Sequence, residues 1–402
     1  MSGSENLRDR TRAFIRDVVL PAEPPHGVTL SDDRLADLRG QARDAGVFAP
    51  LAPTEFGGHG LPLAQWSPVL QEAGYSLIGP AVLNAMAPDE GNMHLLNLVA
   101  SPAQRERWLA PLARGEVRSS FAMTEPHPGA GSDPRALTTR AVRVDGGWRI
   151  TGRKRFISGA RGAAFAIVMA RTSEDERDGA TMFLTGLDAP GITIGPDIHT
   201  IESAISGGHP YVTFTDCFVP DAEVLGEPGA GFRYAQMRLG PARLTHCMRW
   251  LGLARRAQDT ALDRAAARSL FGSPLRELGV AQALLADSEI DLATSDAMIE
   301  RTAALLETDA RAGEALSSIA KVHCSEAIFR IIDRAVQLCG GDGVTDGLGL
   351  IQYLNEVRPF RIYDGSSETH RWAIARRASS ARTREVAAGA HRLDVVDPDP
   401  AE

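Results

Sequence analysis

The segment Phe121-Ala122-Met123-Thr124-Glu125-Pro126-His127-Pro128-Gly129-Ala130-Gly131-Ser132-Asp133 runs from an apolar stretch into a turn rich in Pro, Gly, Ser and Asp. It is answered further along by Arg155-Phe156-Ile157-Ser158-Gly159-Ala160. Glycine adds no Cβ, so backbone N–H groups in such a turn can approach a phosphate or a flat heterocycle closely. Side chains at i and i+2 of a strand share a face, so Phe156 and Ser158 can present a stacking ring and a hydroxyl together. Either segment alone reads equally well as an ordinary hairpin end.

Outward from this pair, the span from Ser119 to Pro220 carries the two-residue period of strands. Val142 and Val144 alternate with Arg143, Asp145-Gly146-Gly147 supplies a turn, and Trp148 and Ile150 alternate beyond it. Further strands are expected at 164–170, 181–185 and 211–215, giving a small antiparallel β domain. On either side the period is helical. Leu35, Leu38, Ala42 and Ala45, then Trp66, Val69, Leu70 and Ala73, recur at helical spacing around the loop Phe56-Gly57-Gly58-His59-Gly60. After Gly229, the run Ile319, Val322, Ile328, Ile331, Ile332, Ala335, Leu338 marks a buried helix, closed by Gly340-Gly341 as a left-handed glycine cap. These patterns divide the chain into a helical domain over 1–118, a β domain over 119–226, a second helical domain over 227–386 and a disordered acidic tail over 387–402.

A chain of 402 residues is too long for one simple core. Its 44% hydrophobic and 23% charged residues are those of a soluble globular protein. No apolar run approaches the ~20 residues of a membrane helix. The net charge of −8 argues against a general nucleic-acid binder. The N-terminus shows no basic-then-apolar leader, and Cys217, Cys247, Cys324 and Cys339 have no metal-ligand spacing. A cytoplasmic protein with free thiols and no metal site is expected. The basic residues are nearly all arginine, with lysine only at Lys154 and Lys321. We read that bias as genomic, and it weakens any argument from an isolated arginine. No Walker loop, His-Glu-x-x-His, Gly-x-Ser-x-Gly elbow or strand-linked Gly-x-Gly-x-x-Gly occurs.

The order helices–strands–helices, with the opening pair, resembles the acyl-CoA dehydrogenase superfamily over roughly residues 35 to 380. Trp108-Leu109-Ala110-Pro111-Leu112-Ala113-Arg114-Gly115-Glu116 resembles the family's helix leading into the β domain. Phe214-Thr215-Asp216-Cys217-Phe218-Val219-Pro220 resembles its closing strand. Arg268-Ser269-Leu270-Phe271-Gly272 is similar to its Arg-x-x-Phe-Gly motif, and Gln337-Leu338-Cys339-Gly340-Gly341-Asp342-Gly343 to its Gln-x-x-Gly-Gly-x-Gly turn. Ala87-Pro88-Asp89-Glu90-Gly91-Asn92-Met93 and the stretch from Arg238 to Arg249 are most similar to the branch of acyl-CoA dehydrogenase family members ten and eleven.

The resemblance implies an α+β fold with a helical N-terminal domain, a middle antiparallel β domain and a C-terminal four-helix-bundle domain. It implies FAD as cofactor and α,β-dehydrogenation of an acyl-CoA or other acyl thioester. In most of the family a Glu-Gly pair supplies the base; here the segment is Arg361-Ile362-Tyr363-Asp364-Gly365, so the catalytic residue implied is Asp364. The other known base position holds Ala242, before Arg243. A helix-capping Asp without chemistry is the alternative, since Asp-Gly is a common turn pair. The resemblance places Phe121, Met123, Thr124, Phe156, Ile157 and Ser158 at the flavin ring and Ser132 at a cofactor or substrate phosphate. Arg268, Gln337, Gly340 and Gly341 fall at the pyrophosphate and adenosine end of a neighbouring subunit's FAD, Ser366 and Glu368 at FAD, and Arg243 on the CoA side. It further implies a homodimer or homotetramer and an electron-transfer flavoprotein as electron acceptor. Departures are the His127-Pro128 insertion, Gly279 where many members have Gln, and Gly240 in place of an Asp. A flavoprotein oxidase or monooxygenase of the same fold, or a non-catalytic scaffold, are the competing functions.

Overall fold

The computed structural model describes residues 3–175, 179–202 and 207–390. The N-terminal part is helical: α1 (Gly3–Phe14), α2 (Asp32–Asp44), α3 (Trp66–Gly74), α4 (Gly79–Val82), α5 (Asp89–Val99), α6 (Pro102–Gln104) and α7 (Ala110–Ala113). Helix α2 starts where Ser31 accepts a hydrogen bond from the Arg34 N–H, with Asp32 and Asp33 in the first turn favouring the positive end of the helix dipole. Leu38 and Ala42 turn inward from it, one helical turn apart.

Seven strands follow: β1 (Ser119–Ala122), β2 (Arg140–Val144), β3 (Gly147–Lys154), β4 (Phe165–Arg171), β5 (Ala180–Gly186), β6 (Ile192–Asp197) and β7 (Pro210–Pro220). They form one sheet in the order β1-β4-β2-β3-β7-β6, with β5 also paired to β4. The pairs β2–β3, β3–β7, β4–β5 and β6–β7 are antiparallel, as expected; β1–β4 and the single-residue β2–β4 contact are parallel. The β2–β3 hairpin turns at the expected glycines, but its inward residue on β2 is Ala141, and Val142 is 62% exposed. Strand β4 is buried on both faces. Phe165, Ile167 and Met169 pack toward the N-terminal helices, while Ala166, Val168 and Ala170 join Trp148, Phe183 and Phe214.

The C-terminal part is a bundle built on α8 (Gly231–Ala267), a tiny hairpin β8 (Ser269–Leu270) and β9 (Ser273–Pro274), then α9 (Gly279–Thr308), α10 (Ala310–Cys339), α11 (Leu350–Val357) and α12 (Ser367–Ala387). Its core holds Leu251, Leu253, Ile299, Ile328, Ile331 and Ile332. At 1.5 Å per residue, α8 is about 55 Å long and reaches from the sheet to the far end of the bundle. Pro241 lies within it and removes one backbone donor, at a place where the helix wall meets a cavity. Helix α10 ends at Gly340 with φ 62° and ψ −138°, a positive-φ glycine outside the left-handed cap geometry expected. The positive φ is what calls for glycine here; a Cβ would stand 2.9 Å from Arg268 Nη1, the mobile tip of a long side chain that could move aside. Helix α12 covers 367–387, and the expected tail lies outside the described residues from 391 onward. Among the described residues no helix is long and apolar enough to cross a membrane, and all four cysteines are free and buried.

Candidate active site

The two opening segments meet. The Arg155 N–H donates to the Thr124 carbonyl at 2.9 Å, and Ser120 Oγ donates to the Ser158 carbonyl at 3.2 Å. Phe121, Met123 and Thr124 are half-buried along this seam. Phe156 is 43% exposed and held at φ 56°. A left-handed aromatic is strained by roughly 1–2 kcal/mol, which surrounding structure must offset. The Arg155 guanidinium lies 4.6 Å from the Phe156 ring, and among the described residues its buried Nε has no hydrogen-bond partner. An exposed ring beside such a cationic donor fits a flat, polar heterocycle such as the flavin of FAD. The Ile157 side chain is buried, its N–H donates to the Pro210 carbonyl and its carbonyl accepts from the Ala160 N–H, so one remaining carbonyl lone pair is what it can offer a ligand. The His127-Pro128 insertion closes on itself through a Gly129 N–H to Pro126 carbonyl bond of 2.7 Å, leaving Ser132 exposed on the loop beyond.

The seam is locked from beneath by Glu125 and Lys154, both with fully buried side chains, 2.9 Å apart. Glu125 also accepts from the Ala130, Thr138 and Thr139 N–H groups and the Thr138 hydroxyl. The Lys154 ammonium donates to Glu125, the Met123 carbonyl and the Met169 carbonyl, using all of its protons. Burial works to raise the Glu125 carboxyl, but Lys154 and the hydroxyl and N–H donors outweigh it and hold it at about 2. Its folded-state value is depressed, so its contribution to stability is present above its ordinary value of 4.5 and is lost as pH falls toward 2. Acid unfolding followed by tryptophan fluorescence is expected to show this loss in the wild type, while Glu125→Gln, lacking the titrating group, starts less stable and loses less over that interval. Identical acid dependence of the two proteins would contradict the assignment.

The candidate base stands on a second built feature. Asp364 is at φ 55° and its side chain is 20% exposed. Its carbonyl accepts from Arg243 Nε at 3.0 Å and His370 Nε2 at 3.1 Å, and the Gly365 carbonyl accepts from Lys321 Nζ at 2.7 Å. Gly365 sits at φ 94°, where a Cβ would meet His370 Nε2 at 2.6 Å, so Asp-Gly is required by both conformation and space. Burial, followed by the nearby Arg243, brings His370 to about 4 and keeps it neutral. Burial lowers Lys321 to about 8, with Asp364 the strongest influence opposing it.

Behind the carboxylate, His246 Nε2 lies 3.5 Å from Asp364 Oδ2, while its Nδ1 receives Arg249 Nη2 at 3.1 Å. A guanidinium only donates, so Nδ1 is an acceptor and the ring proton sits on Nε2, facing the carboxylate. Burial first, then the Arg249, Arg238 and Lys321 charges, push His246 well below its ordinary value, so it stays neutral. Arg249 is balanced by Glu90 at 2.9 Å. A further buried cation, Arg238, donates to Asn92 Oδ1 and to the Pro88 carbonyl and stacks 4.1 Å over Phe121, so it reaches from α8 to the seam of the two opening segments. Among the described residues no carboxylate closes on Arg238, and Asp364 is the anion that most offsets its burial.

Arg268, Gln337, Gly340 and Gly341 form a separate cluster where α8 and α10 end. The Gly340 N–H donates to the Gln337 carbonyl, and Gln337 and Gly341 are exposed. Phe271 beside them is 98% exposed. Ser366 caps α12 by accepting from the Thr369 N–H, and Glu368 is exposed in its first turn. A cavity of about 420 Å³ lies between the N-terminal helices and α8–α10, lined by Leu61, Trp66, Met93, Met237 and Pro241 among others. Gly240 and Pro241 on its wall are less than one helical turn from Arg243. Among the described residues no three His, Cys, Asp or Glu side chains gather as metal ligands.

Family models for the acyl-CoA dehydrogenase N-terminal, middle and C-terminal domains match residues 2–116, 120–217 and 229–379. The chain belongs to the acyl-CoA dehydrogenase family. It is 35% identical to the probable acyl-CoA dehydrogenase FadE2 of Mycobacterium tuberculosis over 85% of its own length and 84% of the relative. It is 34% identical to acyl-CoA dehydrogenase family member 11 of Rattus norvegicus over 96% of its own length, but spans only 51% of that longer protein. A solved Mycobacterium abscessus protein, described as a candidate acyl-CoA dehydrogenase, superposes with a TM-score of 0.88 at 32% identity, covering 95% of this chain and 99% of that one. The fold class expected from the sequence is thereby established.

Proposed function

We propose that this chain is an FAD-dependent acyl-CoA dehydrogenase. It would remove the α-proton of an acyl-CoA or other acyl thioester while the β-hydrogen leaves as hydride, giving the 2-enoyl thioester. The observation that carries the reading is Asp364. Its main chain is held at a left-handed angle by Arg243, His370 and Lys321, and its carboxylate faces a neutral His246. Bound FAD supplies the hydride acceptor. The chain's own part is to hold the base still and exclude water. The hydrogen bonds to the Asp364 and Gly365 carbonyls fix the main chain that carries the carboxylate, and His246 Nε2–H faces it. Asp is one methylene shorter than Glu, which retracts the base by about 1.5 Å and leaves room for a substituent at the α-carbon.

Phe121, Met123, Thr124, Phe156, Ile157 and Ser158 would bind the isoalloxazine ring. Half-buried Arg268 and Gly340, with exposed Gln337 and Gly341, would take the pyrophosphate and adenosine end of a neighbouring copy's FAD, making a homodimer or homotetramer. Ser366 and Glu368 would complete the FAD site, and Ser132 and Arg243 would meet the substrate. Electron-transfer flavoprotein is the acceptor assigned. Anaerobic titration of the purified protein with a panel of acyl-CoAs tests the reading: at least one is expected to bleach the flavin band. A protein that takes up no FAD, or a loaded protein that no thioester on the panel bleaches, would overturn it.

A further inference from the structure

Ser158 lies in the turn after β3, and His209 stands just before β7. The two are stitched by the Ile157 N–H to Pro210 carbonyl bond of 3.2 Å and the Gly159 N–H to Gly208 carbonyl bond of 3.0 Å. Between them, Ser158 Oγ and His209 Nδ1 are 2.8 Å apart. On the far side of the ring, His209 Nε2 is 2.6 Å from Glu202 Oε1. The ring proton facing Glu202 can be placed by elimination. A carboxylate only accepts, so Nε2 must carry a ring hydrogen. An imidazole carrying that one ring proton has a bare Nδ1, which accepts from the Ser158 hydroxyl. The hydroxyl has one proton, and it is used here. Among the described residues no other hydrogen bond reaches Oγ, so what it presents on its open side, next to the exposed Phe156, is lone pairs only.

We propose that His209 is singly protonated and that Glu202 and His209 are positioning residues that fix the Ser158 hydroxyl as a hydrogen-bond acceptor toward the flavin. The inference rests on the FAD reading above. A free serine hydroxyl can rotate to donate or accept, and so serves both oxidation states of a flavin equally. Reduction converts the central-ring nitrogen of a flavin from a lone-pair acceptor to an N–H donor. A hydroxyl locked as acceptor therefore favours the reduced form and meets the oxidised form lone pair to lone pair. The cost of leaving such a pair unmatched, roughly 1–3 kcal/mol when buried, sets the scale of the bias.

The test is the midpoint potential of bound FAD, measured by anaerobic dye-coupled titration of the full-length holoprotein. Glu202→Leu and His209→Phe are each expected to shift the relative affinity for the two oxidation states about tenfold toward oxidised flavin, about 30 mV downward for a two-electron couple. Glu202→Gln, which keeps an acceptor oxygen, is expected to retain the wild-type potential. In a Ser158→Ala background neither Glu202→Leu nor His209→Phe is expected to move the potential further, because there is no hydroxyl left to orient. Wild-type potentials in both Glu202→Leu and His209→Phe would overturn the proposal, as would a shift that persists undiminished without Ser158. Loaded variants with unshifted potentials would sink this inference and leave the FAD reading intact; a wild-type protein that binds no FAD would end both.

Discussion

Asp364→Asn is expected to lower kcat by about 10²- to 10⁴-fold, the range over which a positioned general base acts. The protein should stay folded, with its FAD content unchanged. The substitution is isosteric, and the contacts that hold this turn are made to main-chain carbonyls, by Arg243 and His370 to Asp364 and by Lys321 to Gly365. An amide keeps those bonds and can still face His246, but it cannot take up a proton. The loss should therefore fall on kcat and kcat/KM together, the pattern of an interaction made only in the transition state. Steady-state kinetics with electron-transfer flavoprotein, alongside flavin absorbance and a melting curve, checks it. A folded, FAD-loaded Asp364→Asn with wild-type turnover on the same acyl-CoA would remove Asp364 from the chemistry.

The second large effect is expected at Lys154. Its replacement by Met leaves Glu125 as an uncompensated carboxylate in a site closed to solvent, a change that typically costs about 3–5 kcal/mol. The damage should be local before it is global. Glu125 ties together the Ala130, Thr138 and Thr139 main chain, so losing its partner loosens the loop that carries Thr124 and Ser132. Lys154→Met is expected to melt earlier and to lose FAD on gel filtration. Lys154→Met with Glu125→Gln should regain much of the stability, because a neutral amide no longer needs a counter-charge. Lys154→Arg is not a conservative alternative: a planar fork is larger than the ammonium that fits three acceptors here. A single Lys154→Met variant as stable and as flavin-retentive as wild type would contradict this account.

Much of the architecture could be read from residue periodicity. The inward faces of α2, α3, β3, β4 and most of α10 carry the apolar spacings that defined them, because buried faces repeat with the element's own period; Ile319, first in the α10 run, is exposed. Val142 misled in another way: on a short strand with one face to solvent an apolar side chain is as readily exposed as a small one is buried, and Ala141 faces inward. The Asp364 turn and the seam of the two opening segments could be singled out as candidates because motif residues sit adjacent in the chain. The supporting groups could not. His246 and Arg243 lie far from Asp364 in sequence, as does Lys321 from the carbonyl it holds, and only the bundle's packing brings them together. His209 and Glu202 gave no local sign of acting on Ser158.

One signal was present and was read as genomic. In a chain that uses arginine nearly everywhere, lysine is kept only at positions 154 and 321. Both are buried, and both place a compact ammonium against main-chain carbonyls: Lys154 beneath the flavin seam, Lys321 against the residue after the base. A guanidinium has no room to replace either without displacing the carbonyls that accept from it. Scarcity of a residue type was thus informative about where its particular geometry is needed.

The central claim, that Asp364 removes the α-proton, is tested most directly by isolating that step from hydride transfer. A β-branched acyl-CoA with no hydrogen on its β-carbon, such as 3,3-dimethylbutyryl-CoA, can lose an α-proton but cannot pass a hydride. Incubated in D2O with the FAD-loaded protein, it is expected to gain α-deuterium by mass spectrometry with wild type, and at least about 10²-fold more slowly with Asp364→Asn. Equal rates of deuterium uptake with the two proteins would show that some other group carries the proton.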